Sequence, residues 1–431
     1  MQLHWIRIED VPAIFELIDS VGLTTLEACG DTPRVILGCP LAGITADEIL
    51  DATPQIRAVA SRYLGDPAFS NLPRKYKTSI NGCRALCTNP EINDVSFVGV
   101  EHPSLGPGYD LQVGGGLSTN PMFAQRLGAF VEPERVADAW GAVTALFREY
   151  GYRRSRNHAR FKFLVKDWGA ERVRKVMETE FLDGPLPDGP APAPRPLAER
   201  DHLGVQEQRD GRVFVGFAPR AGRIAGHQLR LVADLAENYG SGETAATAQQ
   251  KLVIRDVDPE RADELVARLD ELDLRARPNP FRKGTMACTG IEFCKLAIGE
   301  TKGRAAWITE ALAARLPEFD EEIRIHVNGC PNSCARFQVA DIGLMSALLP
   351  RVDGTRSEAF LVHLGGGMGE GAAFGRKVKG VKIFAEDAAD YLETLLIRYQ
   401  RQRGTHPSFS SFVNDMNEAQ LARFAAPKVR A

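Results

Sequence analysis

Short apolar stretches alternate with amphipathic stretches along most of the chain. Runs rich in Val, Ile and Phe predict strands at Val95–Val98 and Phe360–His363. Apolar residues that recur every three to four positions predict helices at Glu134–Tyr150 and Asp387–Arg401. This pattern predicts an α+β (mixed α/β) protein.

The two halves of the chain repeat the same motifs in the same order. The Asn-Gly-Cys and the later Cys of residues 81–87 recur at residues 328–334, an offset of 247. Three further pairs keep this order: Asp94 with Asp341, Gln112–Gly116 with His363–Gly367, and Ala28-Cys29 with Ala287-Cys288 at an offset of 259. Four ordered matches predict an internal duplication whose loops have changed in length.

One part of the repeat has no counterpart in the first half. The elements predicted after residue 210 are strand Val213–Phe217, helix Gln228–Tyr239, strand Leu252–Ile254 and helix Pro259–Leu272. The first half begins at the counterpart of the last strand, Leu3–Ile8, and continues with a helix at Val11–Val21. Either the two halves differ here or the chain starts at an internal methionine, and we expect the second, with the N-terminal segment of the first repeat missing.

A proline-rich stretch at Asp183–Ala198 separates the two halves. Six of its sixteen residues are proline, which disfavours both a helix and a central strand. We expect a stiff, extended linker here.

Charge and hydrophobicity argue against several classes of protein. The chain has 53 Lys and Arg against 56 Asp and Glu, a net charge of −3, which argues against general binding of nucleic acids. No apolar run approaches the ~18 residues of a membrane span, and the N-terminus lacks the core of a signal peptide. These features predict a cytoplasmic protein.

Four of the eight cysteines form two pairs in the second half. Cys288 and Cys294 have C-x5-C spacing, and Cys330 and Cys334 have C-x3-C spacing. Four thiolates are the usual ligands of a 4Fe–4S cluster, whereas a structural zinc site, the alternative, favours shorter spacings. Pro331 suits the first turn of a helix, so we expect Cys330 and Cys334 to lie one helical turn apart, with the helix dipole directed at the cluster.

These motifs resemble the signature of the sirohaem-dependent nitrite/sulfite reductases. The resemblance is carried by residues 286–297 (MACTGIEFCKLA) and 328–336 (NGCPNSCAR) and extends over essentially the whole chain. It implies a sirohaem coupled to the 4Fe–4S cluster through one shared thiolate, which by its position would be Cys334. Asn332 and Arg336 of the motif are further candidate cofactor contacts, as are Gly115 and Gly366 in glycine-rich loops that permit close approach of the backbone.

The resemblance also implies a fold and its domains. We expect a pseudo-twofold duplicated architecture with ferredoxin-like half-domains and two larger sirohaem-binding α/β domains. The expected segments are a remnant of the first ferredoxin-like half-domain (1–25), a first sirohaem and substrate domain (26–182), the linker (183–198), a second ferredoxin-like half-domain (199–280) and a domain for the 4Fe–4S cluster and sirohaem (281–431).

Basic residues in the first half are candidates for binding an oxyanion. Lys75 and Lys77 would share one face of a strand, and Arg34 offers a planar fork that matches two oxygens. The alternative is a solvated edge strand, where Lys is common. The run of Arg and Lys between residues 153 and 162 fits a solvated face, contact with sirohaem carboxylates, or docking of an acidic ferredoxin.

The cysteines of the first half are harder to interpret. Cys83 and Cys87 keep the C-x3-C spacing, but a second cluster would need a fourth thiolate, and Cys39 lies at the wrong interval from Cys29. We expect buried free thiols instead. In the repeat as aligned above, Arg34 takes the position of Cys294. By the resemblance, Cys29 corresponds to a cysteine that can be bonded to a tyrosine.

The sequence predicts a ferredoxin-dependent sulfite reductase that reduces sulfite to sulfide. Reduced ferredoxin would be the electron donor, a small oxyanion the substrate, and the enzyme a monomer. The alternatives are a ferredoxin–nitrite reductase with the same cofactors, a precorrin-3B synthase-like cobalamin enzyme, and a non-catalytic iron–sulfur or zinc protein. No flavin or nicotinamide motif is present in the sequence.

Overall fold

The chain forms two compact units in a computed structural model that describes residues 1–195 and 201–427. Unit 1 comprises Met1–Gly116 and Met122–Glu199, and unit 2 comprises Leu117–Pro121 and Arg200–Ala431. The five predicted segments remain a prediction, because a division into two units does not test their boundaries.

Unit 1 is built on a five-stranded sheet. Its strands are β1 (Pro33–Leu37), β2 (Tyr76–Asn81), β3 (Val95–His102), β4 (Gly106–Val113) and β5 (Gln125–Val131), paired in that order. Its helices are α1 (Val11–Ser20), α2 (Thr53–Tyr63), α3 (Val136–Tyr150) and α4 (Phe161–Val176). The first three strands run parallel and the last two join antiparallel.

The core of unit 1 follows from the predicted pattern. The first six residues of β3 are all buried, as expected for a central strand covered on both faces. Helix α3 buries Ala139, Val143 and Phe147, which lie on one face at intervals of four residues. Trp140 on the same helix donates a hydrogen bond of 2.8 Å to the Thr78 hydroxyl of β2, which satisfies both buried groups.

Unit 2 contains a second five-stranded sheet with the same plan. Its strands are β10 (Thr285–Ala287), β11 (Ile325–Asn328), β12 (Ile342–Pro350), β13 (Arg356–Leu364) and β14 (Arg376–Phe384), in the order β10-β11-β12-β13-β14. The strand directions repeat those of unit 1. The helices of this part are α7 (Pro280–Gly284), α8 (Lys302–Arg315), α9 (Ala388–Gln402), α10 (Phe409–Asn414) and α11 (Glu418–Phe424).

A smaller four-stranded sheet precedes the large sheet of unit 2. It consists of β6 (Gly204–Glu207), β7 (Val213–Phe217), β8 (Thr244–Ala246) and β9 (Leu252–Val257), in the order β6-β7-β9-β8, with helices α5 (Gly226–Tyr239) and α6 (Ala262–Glu271). Both helices pack their apolar residues against this sheet, in a core separate from that of the large sheet.

The two large sheets confirm the predicted duplication. In each unit a glycine with positive φ follows the fourth strand, and its N–H bonds to an aspartate carbonyl. Gly114 donates to Asp94 O at 2.8 Å, and Gly365 donates to Asp341 O at 2.9 Å. The mixed α/β class and the duplicated architecture were therefore both correctly predicted.

Strand register corrects the alignment of the cysteines. Leu37 pairs with Ser79 in unit 1, and Met286 pairs with His326 in unit 2. Because Ser79 and His326 are equivalent in the repeat, Leu37 is equivalent to Met286, and Cys39 rather than Cys29 is equivalent to Cys288. The match of Cys29 to Cys288 was wrong because the loops before the first strand differ in length.

Hydrogen bonds of the next loop also change which residue of unit 1 is equivalent to Cys294. Ile49 donates its N–H to Gly82 O at 2.8 Å, and Ile298 donates to Gly329 O at 2.7 Å. These bonds make Ile49 equivalent to Ile298 and, four residues earlier, Thr45 equivalent to Cys294. The assignment of Arg34 to this position was therefore wrong, since Arg34 lies in β1.

The segment at residues 1–25 differs from its prediction in one element. Helix α1 forms as expected, but none of its residues is buried. The predicted strand Leu3–Ile8 does not form, and residues 1–7 pair with no strand among the residues that the structure describes. A lone strand leaves its backbone groups without partners, so the apolar alternation is not sufficient to form one.

The proline-rich segment lies along unit 1. Phe130 N–H of β5 donates to Pro187 O at 2.8 Å, and Gly189 N–H donates to Gly128 O at 3.0 Å. Residues 187–189 are thus held against the edge strand, while residues 196–198 of the predicted linker lie outside the described residues. None of the described helices is long and apolar enough to cross a membrane.

Candidate functional site

The four cysteines of the second half lie in two loops at one edge of the unit 2 sheet. Cys288 follows β10 directly, and Cys330 follows β11 by two residues. These strands are parallel neighbours with Ala287 opposite Val327, so their carboxyl ends lie at the same edge. Cys288 N–H extends this pairing with a 3.1 Å bond to Val327 O.

The structure brings three of the four thiols within electrostatic range of one another. Burial first, and then the charges of Cys288 and Cys294, raise the pKa of Cys330, while hydrogen bonds from Asn332 oppose this rise. Cys288, Cys294 and Cys330 are half-buried and Cys334 is exposed. All eight cysteines lie in the described part of the chain, and none forms a disulfide.

Hydrogen-bond donors around the sulfurs suit an anionic thiolate centre. Gly329 N–H donates to Cys288 Sγ at 3.2 Å. The side-chain amide nitrogen of Asn328 and the hydroxyl of Ser333 are buried, and neither has a hydrogen-bond partner among the described residues. Buried donors of this kind are normally satisfied, so these residues fit a bound group that accepts hydrogen bonds, such as an iron–sulfur cluster with its sulfides.

The loop between Cys330 and Cys334 is not a helix, contrary to the prediction. It consists of two consecutive turns. Ser333 and Arg336 adopt left-handed conformations with φ of 58° and 57°, which a helix does not accommodate. Asn328 Oδ1 accepts a 2.9 Å bond from Ala335 N–H and holds the loop back against β11. The helix dipole therefore does not act here, and individual N–H groups contact the sulfurs instead.

Asn332 and Arg336 both lie in this loop but face different partners. Asn332 is exposed, and both its backbone and its side chain hydrogen-bond to Cys330. The Arg336 guanidinium donates to Ala248 O at 2.8 Å and contacts Met286 Sδ at 3.1 Å. Their assignment as cofactor contacts stays a prediction.

Lys302 is a candidate that the sequence did not indicate. Its ammonium group donates to Ala221 O at 2.6 Å and to Gln250 Oε1 at 3.3 Å. Burial, and to a smaller extent Arg223, lowers the pKa of Lys302 to about 8, while the Cys288 thiolate opposes this shift. Only the packing of α8 beside the cysteine loop reveals this proximity, because Lys302 belongs to no motif.

Gly115 and Gly366 occupy equivalent positions where the chain folds closely on itself. A Cβ on Gly115 would lie 2.5 Å from Glu91 O and 2.6 Å from Asn93 O, and one on Gly366 would lie 2.6 Å from Ala340 O. Packing against the protein's own backbone therefore requires glycine at both positions. Contact of either glycine with a macrocycle stays a prediction.

The candidate oxyanion residues lie in unit 1. Arg34 donates to Gly30 O at 2.6 Å and also to Ala28 O, so its guanidinium holds the preceding loop. Lys75 lies one residue before β2, and Lys77 is exposed on that strand, with the buried Tyr76 between them. The buried Tyr76 and exposed Lys77 alternate as predicted, but Lys75 lies outside the strand. Substrate binding by Arg34, Lys75 and Lys77 stays a prediction.

The basic run of residues 153–162 is largely engaged in ion pairs and backbone contacts. Arg160 forms a bidentate pair with the buried Asp94, with its shortest contact at 2.7 Å, and Arg156 pairs with Asp31 at 2.8 Å. Lys162 is 3% exposed, and burial, followed by the charge of Arg160, lowers its pKa to about 8. A purely solvated face does not describe these residues.

A duplicated α/β fold with four cysteines in paired loops defines a class of iron–sulfur proteins, and comparison with known proteins specifies the family. The profile of the nitrite and sulphite reductase 4Fe-4S domain matches residues 29–183 and 282–425. That of the nitrite/sulfite reductase ferredoxin-like half domain matches residues 205–272. The chain belongs to the nitrite and sulfite reductase family.

Several curated relatives match over nearly the whole chain. Sulfite reductase (ferredoxin) 1 of Mycolicibacterium paratuberculosis is 52% identical over 98% of this chain and 76% of its own length. A ferredoxin–nitrite reductase of Synechococcus elongatus is 36% identical over 94% of this chain and 80% of its own. Among solved structures, the NirA protein of Mycobacterium tuberculosis has a TM-score of 0.93 and 48% identity, covering 97% of this chain and 77% of that one.

Proposed function

We propose that the protein is a ferredoxin-dependent sulfite reductase, which reduces sulfite to sulfide at a sirohaem coupled to a 4Fe–4S cluster. The observation that carries the proposal is the pair of cysteine loops at one edge of the unit 2 sheet, with the N–H of Gly329 directed at the sulfur of Cys288. The relative with 52% identity is named a sulfite reductase with ferredoxin as its donor, and the named nitrite reductases are 34–36% identical.

The cluster site is assigned to the four cysteines. Cys288, Cys294 and Cys330 would bind the cluster from half-buried positions, and the exposed Cys334 would be the ligand shared with the sirohaem. When bound, the two groups supply single electrons and an iron that binds the sulfur of sulfite. The N–H of Gly329 and the amide groups of Asn332 stabilise negative charge on the sulfurs.

The substrate site is assigned to the basic residues of unit 1. Lys75 and Lys77 would offset the charge of the oxyanion and deliver protons as its oxygens leave as water. Arg34 holds the loop at residues 28–30 through two carbonyl oxygens, so we assign it a positioning role beside anion binding. Arg336, Gly115 and Gly366 are proposed to lie against the sirohaem.

The decisive test is a matched pair of cysteine variants in the full chain. Cys334→Ser should abolish the sirohaem absorption spectrum and sulfide formation from sulfite with reduced ferredoxin. Cys87→Ser, at the equivalent position of the other unit, should keep both. An unchanged spectrum in Cys334→Ser would contradict the assignment.

The substrate is tested by comparing two oxyanions with one enzyme preparation. We expect a higher kcat/KM for sulfite than for nitrite, and the opposite order would support the nitrite reductase alternative. Lys75→Ala and Lys77→Ala should each lower kcat/KM for sulfite on the order of a hundredfold. Lys379→Ala, at a position 86% exposed, serves as the control.

The donor, assembly and compartment are also parts of the proposal. We propose that reduced ferredoxin delivers the electrons, that the enzyme acts as a monomer, and that it works in the cytoplasm, where thiolate ligands stay reduced. Light scattering of the loaded enzyme tests the monomer, and a mass of two chains would contradict it.

A further inference from the structure

Unit 1 repeats the backbone of the cysteine loops of unit 2. Leu86 and Asn89 have φ of 48° and 56°, matching the left-handed Ser333 and Arg336 at an offset of 247. In the preceding loop, Ile44 N–H bonds to Leu41 O at 3.1 Å, which corresponds to the bond from the N–H of residue 293 to the carbonyl of residue 290. Both loops of the cluster site are therefore present twice in this chain.

Three of the four cysteine positions are retained in this second copy. Cys39, Cys83 and Cys87 are equivalent to Cys288, Cys330 and Cys334, and Thr45 takes the position of Cys294. All three thiols are buried, with exposed fractions of 9%, 3% and 2%. The prediction of buried thiols was correct, but the sequence alignment had left Cys39 apart from the other two.

The thiol of Cys39 contacts both of the other cysteines in unit 1. Cys39 hydrogen-bonds with both Cys83 and Cys87 through the thiol groups, and Cys39 Sγ lies within 4.8 Å of Cys87 Sγ. In a tetrahedral zinc site the Zn–S distance of about 2.3 Å places neighbouring sulfurs about 3.8 Å apart. The upper limit of 4.8 Å on the distance between Cys39 Sγ and Cys87 Sγ is about 1 Å above that spacing.

Backbone N–H groups are directed at two of the three sulfurs. The N–H of Leu41 hydrogen-bonds to Cys39, and the N–H groups of Ala85 and Leu86 hydrogen-bond to Cys83. Such donors stabilise the charge of a metal-bound thiolate. Arg195, 5% exposed, donates to Leu86 O and, at 3.0 Å, to Asn89 Oδ1, which places a cation against the same loop.

We propose that Cys39, Cys83 and Cys87 form a second metal site in unit 1, which binds a thiophilic d10 ion such as Zn²⁺. Each thiol releases one proton as its sulfur binds, so one Zn²⁺ replaces three protons and no electron is transferred. The three sulfurs leave the fourth position of the ion to water or another ligand.

Metal analysis of the full-length protein tests the site. We expect one zinc per chain after purification from zinc-supplemented cells and removal of loosely bound metal with a weak chelator. Cys39→Ser and Cys87→Ser should each lose this zinc, whereas Cys29→Ser, at the exposed cysteine of the same unit, should retain it. A wild-type protein without zinc, or a Cys39→Ser variant with an unchanged zinc content, would overturn the proposal.

Two readouts keep this result separate from the proposed function. Iron and acid-labile sulfide in the same samples report the cluster of unit 2, and they should be equal in wild type and Cys87→Ser. Added Zn²⁺ should raise the Tm of chelator-treated wild type but not of Cys39→Ser, because a ligand that binds only the folded state stabilises it. Disulfide formation among the three thiols, seen by mass spectrometry in place of zinc, would also overturn the site.

Discussion

Individual charged residues carry much of the electrostatics beside the cysteine loops. Lys302 is held by Ala221 O and Gln250 Oε1 on one side and interacts with Cys288 on the other. A fixed cation near an iron–sulfur cluster favours its reduced, more negative form. Lys302 is thus positioned to raise the reduction potential of the centre without being a ligand.

Replacing this cation should change the potential of the loaded enzyme. In Lys302→Met we expect the midpoint potential of the cluster to fall by something on the order of tens of millivolts, because one nearby positive charge is lost. Redox titration followed by electron paramagnetic resonance measures the change. Lys302→Arg keeps the charge and should stay near the wild-type value, and equal potentials in all three proteins would rule out this role.

A buried lysine in unit 1 should make the free energy of unfolding rise with pH in the alkaline range. Burial, and then Arg160, lowers the pKa of Lys162 from 10.5 to about 8. Between these values the unfolded chain binds more protons than the folded one, so stability should rise with pH over this window. Relative to Lys162→Met, the wild type should gain at most about 3 kcal/mol between pH 8 and pH 10.5.

Urea unfolding at several pH values tests the lysine. The exposed Lys166→Met on the same helix α4 is the control and should show no such rise relative to wild type. A free energy difference between wild type and Lys162→Met that stays constant across the alkaline range would show that the ammonium group is not destabilised by its surroundings.

At the scale of elements, the glycine turns after the fourth strand of each large sheet are set by close packing. A side chain at Gly366 meets the carbonyl oxygens of Gln338 and Ala340, which belong to rigid backbone. Gly366→Ala should therefore lower the free energy of unfolding by about 2–4 kcal/mol. Gly226→Ala, where nothing lies within 4 Å, is the control and should be neutral or slightly stabilising in the same urea titration.

Helices and strands with a strong apolar periodicity could be predicted from the sequence. An unpaired strand and the backbone conformation of a loop could not. The predictions around β3, α3, β13 and α9 were correct because many buried residues support each element. The prediction of a strand at Leu3–Ile8 was wrong because no described strand lies beside this segment to pair with it. The helix predicted after Cys330 failed because backbone conformation at Ser333 and Arg336 depends on tertiary hydrogen bonds.

The sequence indicated the cysteine loops of the candidate site but not their surroundings. Thiol spacing predicts Cys288, Cys294, Cys330 and Cys334 as cluster ligands, which stays a prediction, and the structure places them in two loops at one edge of the unit 2 sheet. Lys302 and the donors Asn328 and Ser333 carry no sequence signal of their own. The equivalence of Cys39 to Cys288 needed the strand register, because loops of different length shift the apparent repeat.

For the molecule as a whole, the duplication supplies two versions of one metal-binding framework that differ at a single cysteine position. Thr45 stands where unit 2 has Cys294. Thr45→Cys should therefore complete a four-sulfur shell in unit 1 and tighten zinc binding at least tenfold, since a fourth thiolate replaces a weaker ligand. Cys294→Thr should do the opposite in unit 2 and remove iron and sulfide.

Competition with a chromogenic chelator measures the first change, and iron and sulfide analysis measures the second. Zinc affinity that is equal in Thr45→Cys and wild type would show that residue 45 does not reach the metal. Thr53→Cys, at the start of α2, adds a thiol elsewhere in the unit and controls for non-specific binding.

The paired left-handed residues constrain how this chain can evolve. Leu86, Asn89, Ser333 and Arg336 hold their loops in a conformation that β-branched side chains strongly resist. Substitution by Val or Ile at any of them would distort the loop even though no ligand is altered. Drift toward β-branched side chains should therefore be slow at these four positions although none of them is a cysteine, and a library randomised at these four sites and selected for folding should recover Gly, Asn and Asp far more often than Val, Ile or Thr.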